Sequence, residues 1–342
     1  MLFQSYVTGL PMLSEFSLIE RFFARRACVR HATLGIGDDC ALLAPPTGET
    51  LAISTDMLVE GRHFLPDVDP HALGHKALAV NLSDLAAMGA APLGFTLALA
   101  LPAPREAWLD AFSSGLFELA DRFDCELIGG DTTAGPLNLC LTVFGSVPPA
   151  LALRRDAAQA GDDVWVSGTL GDARAWLGVL RGEWRMAPGN ADHARDAITF
   201  RHALERPQPR VALGLALRGL ARAAIDVSDG LAGDLAHILE RSHMHARIDV
   251  DALPRSAALA RLPPGIQRQC TLAGGDDYEL CFTAAQTQRT AIEAAALQTG
   301  VPVTRIGIIT PPDTSGTPVI TWHAAAGAPL DLAPKGFDHF HD

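Results

Sequence analysis

Lysine is almost missing from this chain, and its scarcity argues against two large classes of phosphate-handling proteins. The 342 residues include only Lys76 and Lys335, and neither stands in a glycine-rich loop. The P-loop pattern Gly-x-x-x-x-Gly-Lys-[Ser/Thr] and the Val-Ala-Ile-Lys strand of protein kinases do not occur. A nucleophilic serine in Gly-x-Ser-x-Gly is also missing. The sequence therefore disfavours P-loop and protein-kinase folds.

Cysteines are few, and their spacing lacks the pairs that bind metals. No Cys-x-x-Cys pair occurs, which argues against a zinc site and against a disulfide framework. Scattered single cysteines are typical of a protein in a reducing cytoplasm, which is the predicted location. The six are Cys28, Cys40, Cys125, Cys140, Cys270 and Cys281.

Targeting and membrane-spanning segments are not indicated either. The first residues lack a basic region and a long apolar core, so we expect no signal peptide and a loose extension over residues 1–11. The longest apolar stretch, residues 93–103, is too short to span a membrane. The net charge is −12 and the pI about 5.4, so nucleic acid and anionic lipid are unfavourable partners. Any bound phosphate must be neutralised locally, by metal ions or a few arginines.

The chain length and the pattern of strands and helices predict two α/β domains. The stretch Pro148-Pro149-Ala150 breaks the periodic pattern and marks the predicted boundary. Residues 12–148 would form the N-terminal domain and residues 149–342 the C-terminal domain.

Hydrophobic periodicity predicts the individual elements. Ser14 is expected to cap a helix that carries Phe16, Ile19, Phe22 and Phe23 on one face. Residues 129–133 are expected to be a loop, and residues 184–198 a polar surface excursion. Other predicted helices are 71–88, 104–123, 209–222 and 229–241; predicted strands are 51–55, ending at Asp56, and 94–101, 126–128, 137–147, 163–167, 224–227, 246–250 and 278–282.

Aspartates recur at predicted strand ends and glycine turns, and this is the most informative pattern in the sequence. Apolar residues flank each stretch, so several carboxylates should lie near the core, where they must be paired, protonated or bound to a cation. Oxygen-only ligands suit Mg²⁺ rather than zinc, and the glycines let backbone N–H groups approach an anion. The pattern thus predicts a metal–phosphate site. The stretches are Gly35-Ile36-Gly37-Asp38-Asp39, Ser54-Thr55-Asp56, Asn81-Leu82-Ser83-Asp84, Gly129-Gly130-Asp131-Thr132-Thr133, Asp226-Val227-Ser228-Asp229-Gly230 and Gly274-Gly275-Asp276-Asp277.

A purely structural explanation of these aspartates is the alternative. A single Asp-Gly turn is more often only a turn, and Asp229 alone could be a helix N-cap. Six such stretches in one chain are harder to explain in this way, so the metal–phosphate site is the preferred interpretation.

The motifs together resemble the bacterial thiamine-monophosphate kinases, from about residue 12 to residue 340. Several blocks exceed five residues and occur in the order of that family. The most specific are residues 35–43, 53–56, 76–90, 128–133, 225–231, 277–282 and the closing 336–340. The family belongs to a superfamily with aminoimidazole ribonucleotide synthetase and selenophosphate synthetase.

The resemblance implies an enzyme that phosphorylates thiamine monophosphate to thiamine diphosphate, with ATP as donor and several Mg²⁺ ions. It also implies two α/β domains and a homodimer in which the N-terminal sheets of both subunits form a barrel, with ATP in a cleft near that interface. The implied metal ligands are Asp39, Ser54, Thr55, Asp56, Asp84, Asp131, Asp226 and Asp229. The implied ATP contacts are Gly130, Asp131, Arg155 and Ser228, and the implied thiamine monophosphate contacts are His63, Asp276 and Phe337.

Two positions depart from the family pattern. The family often has Glu where Asp276 stands, and Tyr or Trp where Phe337 stands. The shorter carboxylate has a shorter reach, and Phe keeps the aromatic face without a hydroxyl. Which of Arg154 and Arg155 faces the nucleotide stays open at this point.

The acceptor would itself be an ionised phosphate, so the sequence predicts direct in-line transfer without a general base. Rival functions remain. Another ATP-dependent synthetase of the superfamily, acting on a purine-type substrate, is one, and a non-catalytic Mg-nucleotide sensor is another. Selenophosphate synthetases carry a reactive Cys near a Lys, whereas Cys28 has no Lys neighbour, and hydrogenase-maturation relatives end in Cys, whereas this chain ends in Asp342.

Overall fold

The computed structural model describes residues 14–24, 31–186, 191–312, 319–325, 327–334 and 336–337. The predictions for residues 1–11, Cys28, Lys335 and the 338–340 part of the closing motif lie outside these residues.

The first half of the chain builds a four-stranded sheet covered on one face by two long helices. The strands lie in the order β3-β6-β4-β5, with β4 and β5 parallel and the other pairs antiparallel. The elements are α1 (Glu15–Leu18), continued by a π-helical turn (Ile19–Phe23), then β1 (Ala32–Leu34), β2 (Leu42–Leu43), β3 (Thr50–Val59), α2 (Pro70–Ala87), β4 (Ala91–Leu101), α3 (Glu106–Arg122), β5 (Glu126–Ala134) and β6 (Asn138–Val147).

The second half builds a seven-stranded mixed sheet with helices packed against it. Its elements are β7 (Asp163–Ser167), α4 (Asp172–Leu180), α5 (Ala191–Glu205), α6 (Val211–Ala216), β8 (Ala223–Asp226), α7 (Leu231–Ser242), β9 (His245–Asp249), α8 (Pro264–Ala273), β10 (Leu280–Ala284), α9 (Arg289–Thr299), β11 (Val303–Thr310), β12 (Ile320–His323) and β13 (Pro329–Leu330). The strand order is β13-β12-β9-β11-β7-β10-β8. Two α/β units with their own sheets confirm the predicted fold class.

Helix α2 lies at the centre of the molecule and is buried on nearly all sides. Asp69 caps it by accepting the N–H of Ala72 at 2.8 Å, and Pro70 suits the first helical position. Its crossing with α3 requires glycine, because a Cβ at Gly74 would lie 2.0 Å from the carbonyl oxygen of Phe112. Close approach to α3 and burial from several sides fix the position of α2, and with it the polar side chains that α2 carries.

Several predicted strand and loop limits were wrong for one physical reason. Strand β3 continues past Asp56 to Val59 because β6 pairs with it along its whole length. Residues 129–133, predicted as a loop, belong to β5, because pairing with β4 overrides the weak strand preference of the two glycines. Long-range pairing, which a local pattern does not report, decides both limits.

Three helix predictions also need correction. Residues 191–205, within the predicted polar excursion and beyond it, form α5, because the fully buried Phe200 anchors one face. Helix α6 covers only Val211–Ala216 of the predicted 209–222. Ser14 does cap α1, but Phe16 is 80% exposed, so the predicted apolar face is only partly buried in this chain. Among the described residues, no helix has the length and apolarity to cross a membrane.

Candidate active site

Helix α2 carries polar side chains that contact two strands from different sheets. The Asn81 Oδ1 atom accepts the backbone N–H of Asp56 on β3 at 3.2 Å. The Ser83 hydroxyl donates to Oδ2 of Asp226, the last residue of β8, at 2.8 Å. Two of the predicted metal ligands are thereby placed beside the same helix, although 170 positions separate them in the sequence.

A third predicted ligand comes from the helix itself. Asp84 accepts a hydrogen bond from the hydroxyl of Ser54 on β3 at 2.5 Å, so these two predicted ligands contact each other directly. Asp84 is half-buried and Asp226 is buried. The hydrogen bonds between α2 and these strands therefore hold Asp56 and Asp226 beside the helix that carries Asp84.

A cavity of about 480 Å³, here called the aspartate cavity, lies between α2, β3 and the turn after β8. It gathers eight predicted site residues and adds Arg62 and Lys76, which the sequence analysis did not select. The predicted residues in its wall are His63, Asp56, Asp84, Asp226, Ser228, Asp229 and Asp276, and Phe337 completes the set from the C-terminal segment.

Three carboxyl groups of this cavity have pKa values above the ordinary value of an aspartate. Burial, followed by the negative charges of Asp84 and Asp229, raises the pKa of Asp56 to about 7. Burial, followed by the charge of Asp84, raises the pKa of Asp226 to about 7 as well. Burial also raises the pKa of Asp84, against the opposing effects of the Ser54 hydrogen bond and the charge of Arg155. The site concentrates negative charge in a poorly solvated space, where a cation is strongly favoured.

Asp234 on α7 belongs to the same cluster and escaped the sequence analysis. It is buried, and its Oδ2 atom accepts the backbone N–H of Asp229 at 3.1 Å. Burial and the charges of Asp226 and Asp229 raise the pKa of Asp234 to about 8. The N-cap of α7 is Gly230, so Asp229 is not the cap that its position suggested.

The two neighbouring arginines have different surroundings in the structure. Arg154 is occupied by a bidentate pair with Asp156, at 2.8 and 2.5 Å. The charge of Arg155, by contrast, lowers the pKa of Asp84 and Asp226. Both arginines line a second cavity of about 610 Å³, the arginine cavity, which shares Asp84 with the aspartate cavity and also contains Ser54. Arg155 therefore remains the predicted contact with the nucleotide.

Three predicted acceptor contacts lie along the rest of the aspartate cavity. The backbone N–H of Val59 donates to His63 Nδ1 at 3.0 Å, which fixes the ring at the end of β3. The N–H of Phe337 donates to the carbonyl of Asp229 at 3.0 Å, and the Arg62 guanidinium lies 5.0 Å from the centre of the Phe337 ring. The C-terminal segment is thereby tied to the carboxylate cluster, and it brings an aromatic face into the cavity.

Four predicted residues lie away from both the aspartate cavity and the arginine cavity. Thr55 on β3 turns to the open face of the sheet, where its hydroxyl meets that of Thr142 at 2.8 Å. Gly130 and the exposed Asp131 stand on β5, at the opposite edge of the sheet from β3. Asp39 is exposed in the turn between β1 and β2, and that hairpin contacts β5. Three strand spacings, roughly 14 Å, separate the β3 group from the β5 group within one chain.

The carboxylates of the aspartate cavity are chemically suited to a hard cation, but they lie too far apart to bind one together. Within the described residues, no three His, Cys, Asp or Glu side chains come close enough together to hold an ion. The carboxylates of Asp56, Asp84, Asp226 and Asp229 in the aspartate cavity nevertheless offer oxygen donors, which suit Mg²⁺. Such an ion takes its remaining ligands from water and phosphate oxygens.

The residues that sequence reasoning missed divide into two kinds. Lys76, Asn81 and Ser83 lie inside block 76–90, which carries the family resemblance, and polar residues in a largely apolar predicted helix could have indicated them. Asp234 gave no local signal beyond its place four residues after Gly230. Its burial beside Asp226 is a property of the tertiary structure alone.

Comparison with known proteins adds independent evidence. Residues 37–147 match the N-terminal domain of AIR synthase related proteins, and residues 159–319 match their C-terminal domain. The thiamine-monophosphate kinase of Escherichia coli (strain K12) is 51% identical over 330 residues, which cover 95% of this chain and 98% of that protein.

Solved structures agree with this relationship. The crystal structure of thiamine-monophosphate kinase from Stenotrophomonas maltophilia K279a is 48% identical, with a TM-score of 0.82, and the match covers 93% of this chain and 98% of that one. A complex of AaThiL with AMPPCP and TMP is 29% identical, with a TM-score of 0.72, over 87% of this chain and 89% of that one. From its two matching domains and its extensive identity to curated relatives, the chain belongs to the thiamine-monophosphate kinase family.

Proposed function

We propose that this protein transfers the γ-phosphate of ATP to thiamine monophosphate and forms thiamine diphosphate. The observation that carries the proposal is the aspartate cavity. The four aspartates predicted to bind metal line this cavity together with His63, Asp276 and Phe337. A phosphate-binding region and a region for an organic acceptor are thus parts of one space. The related AaThiL binds AMPPCP, an ATP analogue, together with TMP, which is the pair of ligands that this arrangement would accept.

Asp56, Asp84, Asp226 and Asp229 would hold Mg²⁺ in the aspartate cavity, with Ser54 contributing through its contact with Asp84. Bound Mg²⁺ would neutralise phosphate charge and help to orient the two phosphate groups. The chain's own contribution is to keep these residues in place: the Ser83 hydroxyl donates to the Asp226 carboxylate, and the Asn81 side chain accepts the backbone N–H of Asp56.

The transfer needs positioning more than proton transfer. The acceptor phosphate is already ionised at neutral pH, so it requires no general base. The γ-phosphorus–oxygen bond to ADP breaks as the acceptor oxygen forms its bond to phosphorus, and ADP leaves with the bonding electrons. The main barrier is repulsion between two anions, which Arg155 and the bound cations would reduce.

At the nucleotide side, we assign Arg155 and Ser228 to ATP, together with Gly130 and Asp131. Ser228 lies in the wall of the aspartate cavity, and Arg155 lies in that of the arginine cavity next to it. Gly130 adopts φ +150°, and a Cβ there would lie 1.9 Å from the Leu97 carbonyl oxygen, so this backbone requires glycine.

A homodimer would bring the separated residues together. On the sheet face opposite α2 and α3, Ile53 is 60% exposed and Met57 is 54% exposed. Neighbouring exposed apolar side chains of this size are typical of a surface that another protein layer covers. The edges β3 and β5 carry Thr55 on one side and Asp131 on the other. Two such sheets that close into a barrel would cover the apolar face and join the two groups of ligands across the interface. Asp39, beside β5, would reach the site in the same way.

The chain would divide into an extension at residues 1–11, a nucleotide and dimerisation domain at 12–148, and a C-terminal α/β domain at 149–342. The two sheets on either side of the turn Pro149–Leu151 support this division. We also propose a cytoplasmic location, supported by free thiols at the buried Cys125, Cys270 and Cys281, whose pKa values burial raises.

An acceptor-specificity assay tests the function. Purified protein with Mg²⁺ and ATP would be supplied in turn with thiamine, thiamine monophosphate or an aminoimidazole ribonucleotide precursor, and ADP release would be coupled to a spectrophotometric readout. We expect steady ADP formation only with thiamine monophosphate, matched by thiamine diphosphate in the product. Turnover with the purine-type precursor would instead establish the rival synthetase function, and nucleotide binding without turnover on any acceptor would indicate a sensor.

A further inference from the structure

Lys76 lies in the wall of the aspartate cavity, pairs with Asp276 and has no part in the mechanism above. The Lys76 ammonium lies 2.6 Å from Asp276 Oδ1, and the two side chains are 6% and 28% exposed. Lys76 is the one lysine within the described part of the chain. Lysine is rarely buried to this extent unless it is paired, so the position calls for an explanation.

Lys76 and Asp84 stand on the same face of α2. Lys76, Val80 and Asp84 follow one another at four-residue intervals, and all three line the aspartate cavity. The helical rise places Lys76 and Asp84 about 12 Å apart along the axis. One rigid helix therefore offers a carboxylate to the nucleotide side of the cavity and an ammonium group to its far side.

The backbone of Asp276 is held in an uncommon conformation. Its φ is +66°, in the left-handed region that non-glycine residues seldom adopt. Its N–H donates to the carbonyl of Ser228 at 2.8 Å, and the hydroxyl of Tyr278 lies 3.4 Å from its Oδ1 atom. The turn is thus fixed to the end of β8 through its backbone, whereas Lys76 fixes the carboxylate itself.

The pair separates two spaces of different character. Lys76 and Asp276 line the aspartate cavity, and both also line a neighbouring cavity of about 360 Å³, the apolar cavity. Apolar side chains make up much of the second wall, namely those of Phe64, Leu65, Val68, Trp176, Leu180 and Leu204. An acceptor with a phosphate group and aromatic rings would meet the ion pair at this boundary.

We propose that Lys76 is a positioning residue for the phosphate acceptor and acts by fixing the Asp276 carboxylate at the boundary of the two cavities. The inference rests on the proposed function, since it takes the acceptor to be thiamine monophosphate. Lys76 acts through Asp276 and stands two helical turns from Asp84, so its removal affects the acceptor and leaves ATP binding essentially unchanged.

The test compares steady-state constants for both substrates in Lys76→Met, Lys76→Arg, Asp276→Asn and the double variant Lys76→Met/Asp276→Asn. We expect Lys76→Met to raise the KM for thiamine monophosphate about tenfold to a hundredfold, the range that the loss of a charge-assisted contact implies, with the KM for ATP within about twofold of the wild type. Lys76→Arg should recover most of the loss because it keeps the charge. The double variant should be no worse than Asp276→Asn alone.

Arg289→Met is the matched control. It removes the arginine that pairs with the buried Asp163 at 2.6 Å, and it lines neither cavity. Its thermal stability should fall while both KM values stay unchanged, which separates a loss of stability from a loss of positioning.

Three results would overturn the inference: an unchanged acceptor KM in Lys76→Met, an equal rise in both KM values, or a double variant whose defect is the product of the single defects. The last would mean that Lys76 contacts the acceptor itself. If Lys76→Met does not fold, the double variant replaces it, because it leaves no unpaired buried charge. Its two KM values are then compared with those of Asp276→Asn: equal values support the inference, and a further rise in the acceptor KM contradicts it. A wild-type protein that fails to convert thiamine monophosphate would refute the proposed function instead.

Discussion

The hydroxyl of Ser83 on α2 donates a 2.8 Å hydrogen bond to Oδ2 of Asp226, the last residue of β8, and so links a helix of the first α/β unit to a strand of the second. Both residues are buried, at 0% and 4% exposure. Because neither side chain has solvent as a substitute partner, this bond couples the packing of the two units to the geometry of the carboxylate cluster.

Loss of that bond should therefore affect both stability and activity. Ser83→Ala leaves a buried carboxylate without its donor, which should lower the free energy of unfolding by about 1–3 kcal/mol and reduce kcat. Denaturant unfolding and steady-state assays measure the two effects. Ser113→Ala, which removes a serine hydrogen bond to a backbone carbonyl on α3, should leave kcat unchanged. A normal kcat in Ser83→Ala would show that Asp226 does not need this support.

Replacement of a cluster carboxylate by an amide should separate folding from turnover. Asp56→Asn or Asp84→Asn should nearly abolish activity, because a neutral amide binds Mg²⁺ poorly. The melting temperature should not fall, since each change removes a negative charge from a group of like charges. Asp192→Asn, at a position with a 63% exposed side chain, is the control and should retain wild-type activity. Near-normal turnover of both cluster variants at low millimolar Mg²⁺ would contradict the proposed metal site.

The open face of the four-stranded sheet should be the dimer interface. Ala98 is exposed near the middle of that face, paired with Cys140 on β6 and Asp131 on β5. Ala98→Glu would place a charge in the proposed interface and should yield monomers in sedimentation velocity, with little activity. Ala107→Glu, at an exposed position on α3, should leave the assembly intact. A wild-type protein that sediments as a monomer at micromolar concentration would exclude this interface.

Phosphoryl transfer should be direct. No Ser, Cys or His of the sequence lies in an activated-nucleophile motif such as Gly-x-Ser-x-Gly, so no covalent phosphoenzyme is expected. Protein incubated with γ-³²P-ATP in the absence of acceptor, then denatured and washed, should retain no label. Stoichiometric retention would instead require a two-step mechanism.

Asp276 should govern the affinity for the acceptor rather than for ATP. Asp276→Ala removes a charge-assisted interaction of about 1.5–3 kcal/mol and should weaken the binding of thiamine monophosphate roughly tenfold to a hundredfold. Asp276→Glu should keep most activity, because it restores the commoner family residue. Titration calorimetry with each substrate measures the difference. Equal weakening of both ligands, with a lower melting temperature, would mean that Asp276 only shapes the turn; a selective loss for ATP would place it on the nucleotide side.

The sequence contained enough information to predict the fold class and most of the candidate site. Helix α2 was recognisable as a long, largely apolar run, and β6 as a strand-length apolar segment, because burial restricts both segments to mainly apolar residues. The aspartates of residues 54–56, 81–84 and 226–229 were recognisable because charged residues rarely interrupt apolar sequence without a partner or a cation. The absence of a P-loop lysine also disfavoured the P-loop class of phosphate-binding proteins.

The tertiary structure alone decided which of these residues meet. It extended β5 through Gly129 and Gly130, because hydrogen bonds to the neighbouring strand β4 outweigh the weak strand preference of glycine. It added Asp234 to the cluster, joined Lys76 to Asp276 across 200 positions, and left Asp131 at the far edge of the sheet from Asp56. Local sequence records the preference of a residue for burial, turn or strand. Distances between residues far apart in the chain depend on how the two sheets pack around α2, and no single segment carries that information.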